Sequence, residues 1–102
     1  MATSILLVDD SAITRKAHRR ILQMTSLELG DVHEAENGEA AIAVLEAHPV
    51  DLVVSDLNMP VMNGLELVRR MRADDAWRDV PIIMVSSNRS HAPILDLLSR
   101  GR

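Results

Sequence analysis

The sequence predicts a doubly wound α/β fold, a mostly parallel sheet with helices on both faces. Three observations lead there. Short apolar runs alternate along the chain with segments of helical periodicity. The runs are continuous rather than alternating, the pattern of strands buried on both faces. The stretches between them are long enough for right-handed crossovers.

The elements follow in order. Ser4 to Val8 is the first apolar run, ended by Asp9-Asp10-Ser11. From about Ala12 to Leu27, Ile13, Ala17, Ile21 and Met24 recur at helical spacing, with Arg15, Lys16, Arg19 and Arg20 between them. Gly30-Asp31 breaks this helix, and Val32 to Ala35 is a short strand. Asn37-Gly38 makes a turn into a helix over Glu39 to Ala47, stopped by Pro49. Val50 to Ser55 is the second continuous run and ends at Asp56. The segment from Asn58 through Met59-Pro60-Val61-Met62-Asn63 to Gly64 carries loop punctuation. Leu65, Val68 and Met71 then stripe one side of a helix, and Asp74 to Asp79 is a polar connection. Pro81 to Val85 is a third buried-type strand closing on Ser86-Ser87-Asn88, and Ile94 to Leu98 starts a last helix. No repeat or low-complexity tract interrupts the pattern, so residues 1–102 form one domain.

Composition narrows the functional classes. Nearly half the residues are apolar and a quarter charged, as in an ordinary globular domain. Trp77 is the single aromatic residue, so the chain has no platform for stacking single-stranded nucleic acid. The net charge of -4 provides no basic field for duplexes. The lack of cysteine excludes disulfides, thiolate metal sites and a thiol nucleophile. Ile5 to Val8 is too short for a signal-peptide core, and no run approaches a membrane span. A cytoplasmic domain is expected, with no direct nucleic-acid or membrane partner.

The chemistry belongs beyond the carboxyl ends of the strands, where open parallel sheets bind ligands. The three most apolar strands end in Asp9-Asp10, Asp56 and Ser86-Ser87. A lone Asp at a strand end is ordinarily the N-cap of the next helix. Three acids and a hydroxyl at three separate strand ends fit that explanation poorly. Neighbouring carboxylates repel one another and call for a cation, and oxygen ligands with positions left open favour Mg²⁺. A carboxylate beside such an ion is able to act as a nucleophile toward a phosphoryl group, and Ser86 supplies a stabilising donor.

These residues carry a resemblance. Ile5-Leu6-Leu7-Val8-Asp9-Asp10-Ser11, then Asp56-Leu57-Asn58-Met59-Pro60 with Met62 and Gly64, then Pro81-Ile82-Ile83-Met84-Val85-Ser86 resemble the receiver domain of two-component response regulators, of the chemotaxis-regulator type. The resemblance spans essentially the whole chain. It implies a flavodoxin-like sheet of order 2-1-3-4, with Asp56 as phosphoacceptor. It also implies Mg²⁺ held by Asp10, by Asp9 through water, by Asp56 and by the backbone carbonyl of Asn58. Ser86 would hydrogen-bond the phosphoryl group, Ser87 would leave access open, and Asn58 and Asn88 would influence how long the group survives. The implied partner is a sensor histidine kinase or a histidine phosphotransfer protein, which in this family docks near the first helix.

The family pattern also includes a fifth strand and helix, an aromatic switch residue and a lysine that pairs with the phosphoryl group. The only lysine here is Lys16, in the first helix, and Tyr and Phe are absent. The chain is therefore expected to lack the fifth strand and helix, leaving Ile82 to Val85 as an apolar sheet edge and one sheet face uncovered. Self-association through that edge or face is expected. Two other functions compete with the phosphoacceptor: a pseudo-receiver serving as an interaction or dimerisation module, and a Mg²⁺-dependent phosphatase with an aspartyl nucleophile. The phosphatase needs an acid two residues beyond the nucleophile, and Asn58 has no titratable proton to give. The basic side of the first helix is read as a solvated face, the methionines at 59, 62, 71 and 84 as packing, and Trp77 as a partly buried lid. His18, His33, His48 and His91 lack metal-ligand spacing and are assigned no role.

Overall fold

In the computed structural model, residues 2–86 and 94–97 are described, with side chains through residue 85. Thr3–Val8 (β1), Leu29–Ala35 (β2), Leu52–Asp56 (β3) and Ile82–Ser86 (β4) form the parallel part of a sheet. Ala12–Gln23 (α1), Gly38–Ala47 (α2) and Gly64–Arg72 (α3) connect them. A short strand, Ile94–Leu97 (β5), completes the order β2-β1-β3-β4-β5. The expected α/β class and the 2-1-3-4 order are both present.

Strand alternation sorts the side chains onto two faces. Leu6 and Val8 of β1, Val53 of β3, and Ile82 and Met84 of β4 join Ala41, Ile42 and Leu45 of α2 and Leu67 and Met71 of α3 in one buried cluster. Met59 belongs to it, and Met62 and Trp77 pack against it, as the sequence implied. Burying a large aliphatic side chain contributes about 1.5–3 kcal/mol, so this layer is the main source of stability.

The other face is built differently. Leu7, Val54, Ile83 and Val85 point toward α1, yet α1 has no buried residue. Its sequence stripe is only partly turned to the sheet: Ile13, Ile21 and Met24 are 84%, 59% and 79% exposed, and of these three Ile21 alone lines the groove. The side turned to the sheet carries Thr14, His18, Ile21 and Leu22. Arg15 and Arg19, read from sequence as a solvated face, instead clasp Glu34 at 2.9 and 2.8 Å. These two pairs tie the helix to β2, and only Lys16 and Arg20 of the basic set are exposed.

Two boundaries differ for local reasons. The helix α1 stops at Gln23, not Leu27, because the Thr25 hydroxyl bonds the Leu22 carbonyl at 2.8 Å. Gly30 and Asp31 consequently lie within β2, which starts at Leu29 rather than Val32.

The segment expected to begin a last helix is the strand β5, antiparallel to β4 with Ser86 opposite Ile94 and Ile83 opposite Leu97. The sheet edge expected to be bare is therefore paired, and a fifth strand is present, though not a parallel one. Only residues 87–93 separate the two strands. A parallel return needs about a dozen residues or more, so an antiparallel return is the pairing open to the segment that follows. Leu98, also expected in the helix, lies outside the described residues.

After β3 the chain passes through Val61, whose φ of 69° is left-handed. For a β-branched residue this conformation is a steric outlier. Replacing Val61 with Asn, which tolerates the region, should stabilise the fold by about 1 kcal/mol, or roughly 4–8 °C in Tm for a domain of this size. Thermal unfolding followed by circular dichroism checks it, and an unchanged Tm would show that the loop carries no such strain.

Candidate functional site

Parallel pairing brings two carboxylates together. Val8 is in register with Ser55, so the residues that follow, Asp9 and Asp56, emerge side by side at the carboxyl edge. Both lie on the α1 side of the sheet and are buried, 7% and 8% exposed, while Asp10 is exposed. One carboxylate oxygen from each of Asp9, Asp10 and Asp56 lies within 4.8 Å of the others.

None of the three caps a helix. Ser11 caps α1, its Oγ accepting the Thr14 N–H at 3.2 Å. Asn37 caps α2, and Asn63 caps α3 in a reciprocal box with Glu66. The simplest structural role for a strand-end Asp is thus filled by other residues.

Asp9 and Asp56 are positioned by backbone. Asp9 Oδ1 accepts the Ser11 N–H at 2.8 Å, and the Asp9 N–H donates to the Ala35 carbonyl at 3.0 Å. Arg15 donates to the Asp9 carbonyl. Asp56 Oδ1 accepts a long contact of 3.4 Å from the Asn58 N–H, and the Leu57 backbone also favours its ionised form. The next residue, Leu57, is fixed by N–H donation to the Val85 carbonyl and accepts the Gly64 N–H. Gly64 must lack a side chain, because a Cβ there would stand 2.5 Å from the Asp56 carbonyl oxygen. That close approach seats the start of α3 directly against the acceptor strand.

Burial raises the Asp9 pKa, with Asp56 and Asp10 adding repulsion. Burial likewise raises Asp56, and Asp10 adds to it. Both shifts disfavour the charged form, so the ionised pocket holds uncompensated negative charge. A cluster of oxygen ligands in that condition suits a hard divalent cation, and the residues present fit Mg²⁺.

Other expected site residues are only partly placed. The backbone of Ser86 ends β4 one residue beyond Val85, the register partner of Asp56. Its side chain, and all of Ser87, Asn88 and His91, lie outside the described residues. Asn58 is exposed next to the acceptor, with its N–H toward Asp56.

Residues 5–102 match the family model for the response regulator receiver domain. The chain belongs to this family. It is 40% identical to chemotaxis protein CheY1 of Helicobacter pylori over 95% of this chain and 77% of that protein. A Campylobacter jejuni CheY homolog is 42% identical over 95% of this chain and 74% of its own length. Among solved structures, a Pseudomonas putida response regulator receiver protein aligns with a TM-score of 0.76 at 30% identity, covering 86% of this chain and 70% of that one. The Vibrio cholerae chemotaxis regulator CheY4 aligns with a TM-score of 0.73 at 33% identity, over 82% and 68%.

The receiver site contains a residue that sequence reasoning passed over. Below the acids, Leu7, Ile21, Leu22, Val54, Ile83 and Val85 enclose a groove of about 460 Å³. His18 lines it together with Thr14, Asp9 and Asp56. The available signal was the spacing of Thr14, His18, Ile21 and Leu22, which places all four on one helical side.

The electrostatics give a signed expectation. For a carboxyl whose folded pKa is raised, stability is complete below the unfolded value near 3.8 and is lost as pH rises through the folded value. Asp56→Asn should therefore stabilise the Mg²⁺-free protein at pH 7, seen as a higher Tm than the wild type. The gain should shrink toward zero at pH 3.5, where Asp56 is largely protonated in both states. Paired melting curves of wild type and variant at the two pH values measure this, and an equal shift at both would contradict it.

Proposed function

We propose that Asp56 is the phosphoacceptor of a two-component receiver, taking its phosphoryl group from a phosphohistidine on a sensor kinase or phosphotransfer protein. The convergence of Asp9, Asp10 and Asp56 within 4.8 Å at the carboxyl edge of the sheet carries this reading. Asp9, Asp10, Asp56 and the backbone carbonyl of Asn58 would hold Mg²⁺. When bound, the ion supplies charge neutralisation for the transferring group.

The chain's own residues do the rest. A carboxylate oxygen of Asp56 forms the bond to phosphorus, and the P–N bond of the donor breaks with its electron pair on nitrogen. Gly64 and the Leu57 backbone hold Asp56 at the rim. In the role that the receiver resemblance gives it, the Ser86 hydroxyl would donate to a phosphoryl oxygen. Asn58 beside the acceptor brings neither charge nor a titratable proton, so the position two residues beyond the nucleophile supplies neither an acid for a substrate's leaving group nor a base for the attacking water. The protein is accordingly a signalling acceptor rather than a dedicated phosphatase, with slow self-dephosphorylation by water. Among the described residues no helix is long and apolar enough to cross a membrane.

Intact mass spectrometry after incubation with Mg²⁺ and acetyl phosphate tests the assignment. One phosphoryl adduct is expected on the wild type, and none on Asp56→Asn or after chelation of Mg²⁺. An adduct that persists in Asp56→Asn would move the acceptor elsewhere.

The face beside α1 supports a second role, self-association. Pairing of β5 with β4 removes the sheet edge as the contact, which leaves the exposed Ile13, Ile21 and Met24 and the groove beside them. Light scattering at high protein concentration should show a dimer that Ile21→Glu with Met24→Glu dissociates. A stable monomer would exclude this role.

A further inference from the structure

The histidine in the groove occupies a position where the fold asks for an apolar residue. Thr14, His18, Ile21 and Leu22 follow i, i+4, i+7, i+8 along α1, the spacing of a stripe packed against a sheet. His18 is partly buried there, facing Leu7, Val54, Ile83 and Val85 across the groove. The ring is a polar group in an otherwise aliphatic wall, only partly buried, and so free to turn an N–H toward the acidic end of the groove. Among the described residues lining the groove, the other polar side chains are Asp9, Asp56 and Thr14.

His18 is also the one basic side chain among those lining residues. The other cations of α1 are placed elsewhere. Arg15 is bound to Glu34 and the Asp9 carbonyl, and Arg19 to Glu34 and the Val32 carbonyl. Lys16 and Arg20 are exposed and do not line the groove. The effect of His18 reaches both acids: burial raises Asp9 and Asp56, and His18 acts in the opposite sense at each.

Phosphorylation of Asp56 replaces a carboxylate by an acyl phosphate with more negative charge and additional acceptor oxygens. A cation held by Asp9, Asp10 and Asp56 would neutralise charge at the acidic end of the groove. An oxygen turned toward the groove meets aliphatic walls, and an unpartnered anionic oxygen there is costly.

We infer that His18 is a phosphoryl-contacting residue, its imidazole N–H donating to the oxygen of the Asp56 phosphoryl group that faces the groove. The inference rests on Asp56 being the acceptor. Either tautomer of the neutral ring has an N–H to give, and so does the imidazolium, so the contact needs no particular charge state.

Beryllofluoride, which adds to a carboxylate as a tetrahedral stand-in for the phosphoryl group, tests the contact without hydrolysis. The full chain with saturating Mg²⁺ is titrated with it and followed by fluorine NMR, as wild type, His18→Ala, His18→Gln, His18→Lys and Asp56→Asn. His18→Ala should bind beryllofluoride roughly tenfold more weakly, the scale of one hydrogen bond to a charged group. His18→Gln and His18→Lys, which keep a donor, should recover much of that loss. Circular dichroism should show all three His18 variants folded, and each is titrated at its own saturating Mg²⁺, so that any change in Mg²⁺ affinity is separated from loss of the contact. In wild type, the imidazole ¹⁵N resonances of His18 should shift when beryllofluoride is added to the Mg²⁺-bound protein.

Equal binding by wild type and His18→Ala, with no ¹⁵N shift, would overturn the inference while leaving Asp56 as acceptor. Equal losses in Ala, Gln and Lys would also overturn it, since a packing role alone explains that pattern. Absent binding in the wild type, or full binding in Asp56→Asn, would overturn the acceptor assignment itself and this inference with it.

Discussion

Repulsion between buried carboxylates is the constraint around which the molecule is arranged. Asp9 and Asp56 are brought together by strand register, not by attraction, since Val8 must face Ser55 for the central pair of strands to bond. The sheet therefore forces like charges into a shared, partly dry corner where burial already penalises each. Such an arrangement survives because the hydrophobic layer beneath α2 and α3 supplies stability that the site itself takes away. The unfavourable charge is what makes the corner receptive: a divalent cation gains most where carboxylates are close and poorly solvated.

The two faces of the sheet divide these tasks. The face under α2 and α3 is sealed, and its close packing reaches the site through Gly64, which has no room for a Cβ beside Asp56. Precision in the position of Asp56 thus depends on a backbone contact that any side chain would push apart. The face under α1 is loose. That helix is held at its rim by the clasp of Arg15 and Arg19 on Glu34, and no residue of it is buried. Exposed ion pairs contribute only about 0–1 kcal/mol each, so α1 is the least firmly anchored of the three helices. A sealed face that fixes the acceptor and an open face that shares its groove with the same acceptor give the pocket one rigid wall and one adaptable one.

Much of this was legible in the sequence. Continuous apolar runs gave the parallel strands, because burial on both faces leaves no polar alternation, and the resemblance to receiver domains gave their order. The acids stood at the strand ends, and topology alone was enough to bring them to one edge. Two features were hidden for physical reasons. The helical stripe of Ile13, Ala17, Ile21 and Met24 looked like a buried face, yet Arg15 and Arg19 rotate the helix by gripping Glu34 on a distant strand, a contact no local pattern encodes. The pairing of Ile94–Leu97 with β4 was likewise not local. Its residues suit a helix as well as a strand, and the unpaired hydrogen bonds of the β4 edge decide between them.

His18 was missed because its role depends on what lies across from it. On the helix alone it is an isolated histidine without ligand spacing, and the ordinary reading of such a residue is incidental. Its meaning changes once β1 and β3 put Asp9 and Asp56 on the facing wall. A groove whose walls are aliphatic and whose end is acidic is poorly matched to a newly added phosphoryl group, since the apolar surface offers no donor. One N–H on the opposite wall repairs that mismatch, and it does so from the element least constrained by packing.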